Sequence, residues 1–148
     1  MQKLMTKNDR GFTLIELLVV IAIIGVLAAL VLAALSGAQK GSRDTKRKSD
    51  VKQMQISYVN FLAGGGTFVS QPAAVDANDT NVPGVKPNYL ADWPTDPTSG
   101  HQAYQYIGSA ANSWAFCAKC ERSDNWFDAG PTVVNDAVDS STGCTPQS

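Results

Sequence analysis

The apolar run from Phe12 to Leu35 limits the folds open to this chain more than any other feature. It reads FTLIELLVVIAIIGVLAALVLAAL, and Glu16 is its one charge. Leu17 through Ala38 contain neither a charge nor a proline. As a helix rising about 1.5 Å per residue, that stretch is about 33 Å long, enough to cross about 30 Å of hydrocarbon. A helix that is apolar all round needs apolar cover all round. The remainder of a 148-residue chain is too small and too polar to supply it. The reading is therefore a membrane-spanning helix rather than a buried core helix.

A secretory signal peptide competes with that reading. Lys3, Lys7 and Arg10 against Asp9 form a basic leader, and Ala33, Ala34 and Ser36 are small residues near the end of the run. A secretory apolar region is usually only about 7–15 residues. The start of the run discriminates further. Gly11-Phe12-Thr13-Leu14-Ile15-Glu16 resembles the prepilin signature of type IV pilins and type II secretion pseudopilins. That signature is a short basic leader ending in glycine, then phenylalanine, then a glutamate one helical turn on, running into the apolar helix. Leu17 to Ala28 continue it without a gap. The resemblance implies that a membrane-embedded prepilin peptidase cuts between Gly11 and Phe12 and methylates the new amine of Phe12. The apolar helix would then stay on the mature protein.

Glu16 also has a physical argument of its own. A carboxylate in a membrane helix is costly unless it is paired or held at the interface. Cleavage after Gly11 would put a cationic amine one turn before Glu16. The bland reading leaves Glu16 at headgroup level near the helix start. The resemblance implies instead that Glu16 pairs with the Phe12 amine of a neighbouring subunit, which neutralises both charges and sets the axial offset between copies.

Net charge is −1 and excludes little, but its distribution is informative. Lys40, Arg43, Lys46, Arg47, Lys48 and Lys52 face only Asp44 and Asp50 in a basic collar after the apolar run. Beyond Gln53 the balance turns acidic. Counting cations alone, the positive-inside rule would put the collar in the cytoplasm. The resemblance puts the leader in the cytoplasm and the head outside, and the reading follows it. No nucleic-acid partner is expected from the collar. Its carboxylates provide i,i+4 pairs such as Asp44 with Lys48 on a solvated helix. Its charged face is expected to pack against neighbouring subunits.

Gln39 to Leu62 lack proline, and Val51, Met54, Tyr58 and Phe61 recur at helical spacing, with Ile56 and Val59 widening the stripe. Gly64-Gly65-Gly66 ends the helix. From Phe12 to Ala63 the helix would be about 78 Å long. Thr67 to Asn88 carry Pro72, Pro83 and Pro87 among Asn, Asp and Thr, and read as a long connecting loop. Asp96-Pro97 and Gly100 mark turns before the Tyr104-Gln105-Tyr106 alternation. This resembles a Pro-x-Asp-Pro turn and following strand in G-type pseudopilins, with Thr98 where that family often has tryptophan. A second strand over Trp114–Cys120 would put Trp114, Phe116, Ala118 and Cys120 on one face and Ala115, Cys117 and Lys119 on the other. Asn125–Phe127 and Thr132–Val134 supply a third strand or its edge. The expected fold is α+β and pilin-like: a long N-terminal helix on an antiparallel sheet of about three or four strands. Its parts are a leader (1–11), a transmembrane half-helix (12–38), an amphipathic half-helix (39–63) and a globular head (64–148).

Cys117, Cys120 and Cys144 are the cysteines. A zinc site is disfavoured, since there is no second CxxC and His101 is the sole histidine, and so is a thioredoxin-like pair, since that motif should open a helix within an α/β fold. An extracellular head permits a disulfide, and bonding Cys144 would tie down a polar tail. Opposite strand faces disfavour a Cys117–Cys120 pair. Cys120 is preferred as the partner of Cys144 because Trp114 and Phe116 share its face, with Cys117 as the alternative. Asp124, Asp128, Asp136 and Asp139 are the calcium candidates, since G-type pseudopilins carry calcium in a C-terminal loop, but a solvated acidic loop is the default reading. No cofactor is otherwise implied.

Ser99, His101 and Asp96 are explained by a turn rather than by catalysis, and no phosphate loop or dinucleotide fingerprint occurs. An enzyme is not expected. The expected function is a structural subunit of a type IV pilus-like filament. The alternatives are a G-type pseudopilin of a type II secretion system or a membrane-anchored binding module that never polymerises. The implied partners are copies of this chain, prepilin peptidase, an inner-membrane assembly platform and minor pilins. The implied location is the cytoplasmic membrane before assembly and a surface filament or periplasmic pseudopilus after it.

Overall fold

The computed structural model describes residues 11–102, 104–131, 134–138 and 144. The leader up to Arg10 lies outside the described residues, as does Asp139. One 50-residue helix, α1 (Leu14–Ala63), precedes β1 (Gln71–Asp76), β2 (Gln105–Ala110), β3 (Ser113–Lys119), β4 (Trp126–Ala129) and β5 (Val134–Val138). The strands form one antiparallel sheet in chain order. The fold is α+β. The chain divides into two compact units, one ending at Ala38 and the other beginning at Gln39.

In the first unit, the Thr13 hydroxyl caps the start of α1 by accepting the Glu16 backbone N–H at 3.2 Å. No side chain from Phe12 to Leu35 is buried.

The second unit owes its core to the stripe anticipated on α1. Val51, Met54 and Tyr58 are fully buried. The Tyr58 ring meets Trp114, Tyr106 and Phe116 edge-on, with centroids 4.8, 5.5 and 5.7 Å away. Its hydroxyl accepts the Val69 N–H and lies 3.0 Å from that of Tyr106, which donates to the Val69 carbonyl. The first residues after the helix are thereby tied to the sheet. Ile56 and Val59, expected to widen the buried stripe, are instead 60% and 39% exposed. The glycine stop works through backbone geometry. Gly65 has φ of +88°, and the Gly66 and Gly65 N–H groups return to the carbonyls of Phe61 and Leu62.

The sheet has five strands, one more than the upper expectation. The extra strand, β1, arises inside the presumed loop. It runs along the sheet edge, where Pro72 removes no interior ladder bond, and it is irregular between Gln71 and Val75. The two faces of β3 fall as its alternation indicates. Trp114, Phe116, Ala118 and Cys120 join the core with Val51, Met54 and Tyr58, while Ala115 and Cys117 cluster with Ile107, Trp126 and Cys144 on the other side.

That division corrects the disulfide preference. The bond joins Cys117 to Cys144, with Cα atoms 5.6 Å apart across a separation of 27 residues. Apolar cover was the wrong criterion, because both faces of the sheet have it. The face of Cys120 is already filled by α1, so Cys144 packs on the opposite one.

Candidate functional site

Two parts of α1 carry features beyond ordinary packing. The first is the stretch from Phe12 to Leu35. Phe12, Leu14 and Ile15 are 83%, 89% and 72% exposed, and the large apolar residues after them are similarly bare. Fully burying one such side chain is worth about 1.5–3 kcal/mol. A run this long requires lipid or other protein around it, and α1 is long and apolar enough to cross a membrane. Gly11 and Phe12 precede the first helical turn, and Glu16 lies within it, the favourable end of the helix dipole for a carboxylate. No other ionisable group lies between Glu16 and Lys40.

The second part is a cluster of charges in the following segment. Arg47 is fully buried. Its Nε and Nη2 donate to the two oxygens of Asp96 at 2.6 and 2.7 Å, and Nη1 donates to Asp44 at 2.9 Å. Nη2 also reaches Glu121 Oε1 at 2.6 Å and Thr98 Oγ1 at 3.1 Å. Arg43 grips the same glutamate with two bonds, at 2.9 and 2.6 Å. Asp44 accepts the backbone N–H groups of Glu121 and Arg122 at 2.8 and 2.9 Å. The Asp96-Pro97-Thr98 turn and the β3–β4 turn are thus clamped to α1 through planar, charge-assisted bonds.

The protonation preferences follow from this geometry. The bond to Asp96 holds the Arg47 guanidinium well above its ordinary pKa despite burial. The Arg43 bond, helped by Thr98 and Arg47, holds Glu121 well below the usual carboxylate range. Burial pushes the Asp96 carboxyl up, but Arg47 and the Thr98 N–H outweigh it, and the net displacement is downward.

The sequence puts these arginines on a solvated collar that packs against neighbouring subunits, pairs Asp44 with Lys48 and leaves Asp96 in a turn, whereas Arg43 and Arg47 are bound within the chain. Asp44 pairs with Arg47, three residues on, rather than Lys48. The expected i,i+4 pattern does occur at Lys46–Asp50. A signal was available, because positions 44, 47, 51, 54 and 58 continue one helical stripe. Charges at the end of a buried stripe demand opposite charges from elsewhere in the chain.

Among the described residues, no three of the His, Cys, Asp and Glu side chains form a metal-binding group. Asp124 receives Lys119 at 3.0 Å, Asp128 is buried in β4, and Asp136 stands in β5.

The family model described as the prokaryotic N-terminal methylation motif matches residues 6–32. The chain is 30% identical to the type IV wide pilus major component PilA4 of Thermus thermophilus over 139 residues, covering 91% of this chain and 95% of that protein. It is 35% identical to the type II secretion system core protein G of Pectobacterium carotovorum over 88 residues, covering 57% of this chain and 56% of that protein. Over 56 residues it is 38% identical to the type IV major pilin protein PilA of Myxococcus xanthus, covering 38% and 26% of the two chains. No solved structure matches at a significant level. With a bare apolar half-helix continuing into the spine of an α+β head, the chain belongs to the family of type IV pilins and type II secretion pseudopilins.

Proposed function

We propose that this protein is a structural subunit of a type IV pilus-like filament, not an enzyme. Prepilin peptidase removes residues 1–11 and methylates Phe12. The half-helix 12–38 anchors the subunit in the cytoplasmic membrane and later packs against other copies in the filament. Residues 39–63 form the spine of a head, residues 64–148, that lies outside the cytoplasm. An assembly platform and minor pilins act on it during assembly.

The observation that carries this reading is the uncovered run from Phe12 to Leu35 with one carboxylate in its first turn. Apolar contacts between copies satisfy the run, and the Phe12 amine of a neighbour satisfies Glu16. The Gly11–Phe12 bond lies ahead of the helix, which supports access by a peptidase. The collar's excess of cations argues against an outside head when the sequence is taken alone. Folding weakens that objection, because Asp96 and Glu121 neutralise Arg43 and Arg47. The match along nearly all of PilA4 favours a pilus. The matches to core protein G support a pseudopilus as the second reading.

Mass analysis of the mature chain tests the processing step. Phe12 is expected as the first residue, bearing one methyl group, whereas a start near Ser36 or an intact Met1 overturns it. Electron microscopy of cells at native expression separates the two filaments, since a pilus subunit yields surface filaments and a pseudopilus subunit does not.

A further inference from the structure

Arg122 belongs by sequence to the acidic head, yet the fold returns it to the base of the spine helix. Its Nη1 lies 3.8 Å from where a Cβ on Gly41 would stand, three residues past Ala38 along α1. The Asp44 carboxylate holds it there by accepting the Glu121 and Arg122 backbone N–H groups. Between helix and turn is a cleft of about 250 Å³ whose lining includes Gly41, Thr45, Lys48, Arg122 and Ser123.

The cleft brings the cations Lys48 and Arg122 together with the hydroxyls of Thr45 and Ser123. Arg122 is exposed, and among the described residues its guanidinium forms no ion pair. The neighbouring carboxylates are engaged elsewhere: Asp124 with Lys119, Glu121 with Arg43 and Arg47. Asp44 also lines the cleft and opposes an anion, but three donors compensate it. The Ser123 hydroxyl accepts the Asn125 N–H at 3.4 Å, which leaves its proton to donate. Lys40, adjacent to Gly41, is exposed as well. A planar guanidinium beside a hydroxyl suits a phosphodiester. Lys48 also lines the cleft, with its Nζ 5.4 Å from the centroid of the Phe127 ring.

We propose that the cleft at Gly41 takes the phosphate of an anionic phospholipid, with Arg122 as its principal cation. The inference rests on the membrane-anchored reading given above. The lipid is the source of phosphate because three residues of helix, about 5 Å, separate Gly41 from the end of the membrane segment, within reach of a headgroup.

The test uses the full chain in nanodiscs of phosphatidylcholine with one-fifth phosphatidylglycerol, followed by native mass spectrometry of the released protein. A chain that fails to enter nanodiscs overturns the membrane reading itself. If it enters, wild type should retain phosphatidylglycerol in preference to phosphatidylcholine. Arg122→Gln should reduce that retention about fivefold, the effect of one cation at an anionic surface. Arg122→Lys should restore most of it, and Lys52→Gln, 11 residues past Gly41 on the helix, should leave it unchanged. Equal losses for Arg122→Gln and Lys52→Gln, or no lipid preference in wild type, overturn the site. Displacement of the lipid by millimolar inorganic phosphate overturns the lipid as the source. Intact disulfide and unchanged circular dichroism in Arg122→Gln establish that its head has folded.

Discussion

The two halves of α1 solve opposite problems with one backbone. Up to Ala38 the helix bears apolar side chains on every face and none is covered within the chain. Beyond Gln39 it turns one stripe inward, with Arg47, Val51, Met54 and Tyr58 fully buried while Ile56 stays exposed. The first half is built for surroundings it does not contain. The second half carries its surroundings with it, as a sheet folded against the stripe. Helical propensity is not what separates them. The difference is whether the side chains find partners within one molecule, and it assigns assembly to the first half and head stability to the second.

The largest effect that separates the halves is expected at Glu16. Glu16→Ala should leave membrane insertion and head folding intact but reduce sheared filament yield to background. Normal yield with normal subunit spacing would show that the carboxylate has no role in assembly.

Arg47→Ala should do the reverse. It strands Asp96 and Asp44, and removing one partner from a buried ion pair typically costs about 3–5 kcal/mol. Denaturant melting of the full chain in detergent should show a head destabilised on that scale, while membrane fractionation stays unchanged. If the melting midpoint does not move, the charge cluster is not what fixes the head to its spine.

Cys144→Ser should have a somewhat smaller effect within the same half. For a separation of 27 residues the chain-entropy model gives about 3.5 kcal/mol. The loss should appear first as protease cleavage near the C-terminus, with the membrane segment untouched. Non-reducing peptide maps of wild type should contain a Cys117–Cys144 link, and a Cys120–Cys144 link would contradict the assigned faces of the sheet.

Acid should produce the gentlest distinction. Glu121 and Asp96 have pKa values below those of an unfolded chain, so the folded state binds fewer protons than the unfolded state as pH falls past about 4. Their contribution is fully present above that pH and is lost as the medium acidifies toward their folded values. Melting of the wild-type head should weaken below about pH 4. Glu121→Gln should flatten this slope, although His101 Nδ1, 3.3 Å from Asp96, remains beside the cluster. An unchanged acid slope in that variant would remove Glu121 from the account.

The sequence alone determined what depends on near neighbours in the chain. The apolar run, the Gly11–Glu16 signature, the stripe through Val51, Met54 and Tyr58, the glycine stop and the alternation in β3 all rest on successive residues within five positions of one another. Helix and strand geometry turn such spacings directly into faces. Only the tertiary structure decided what depends on meetings between distant segments. Arg47 meets Asp96 across 49 residues and Arg43 meets Glu121 across 78. Cys144 chose Cys117 because α1 had already occupied the other face of the sheet. Strand β1, whose only β-branched or aromatic residue is Val75, formed because an edge backbone could pair with β2. No local pattern records these choices, because each depends on which face or charge the rest of the fold has left available.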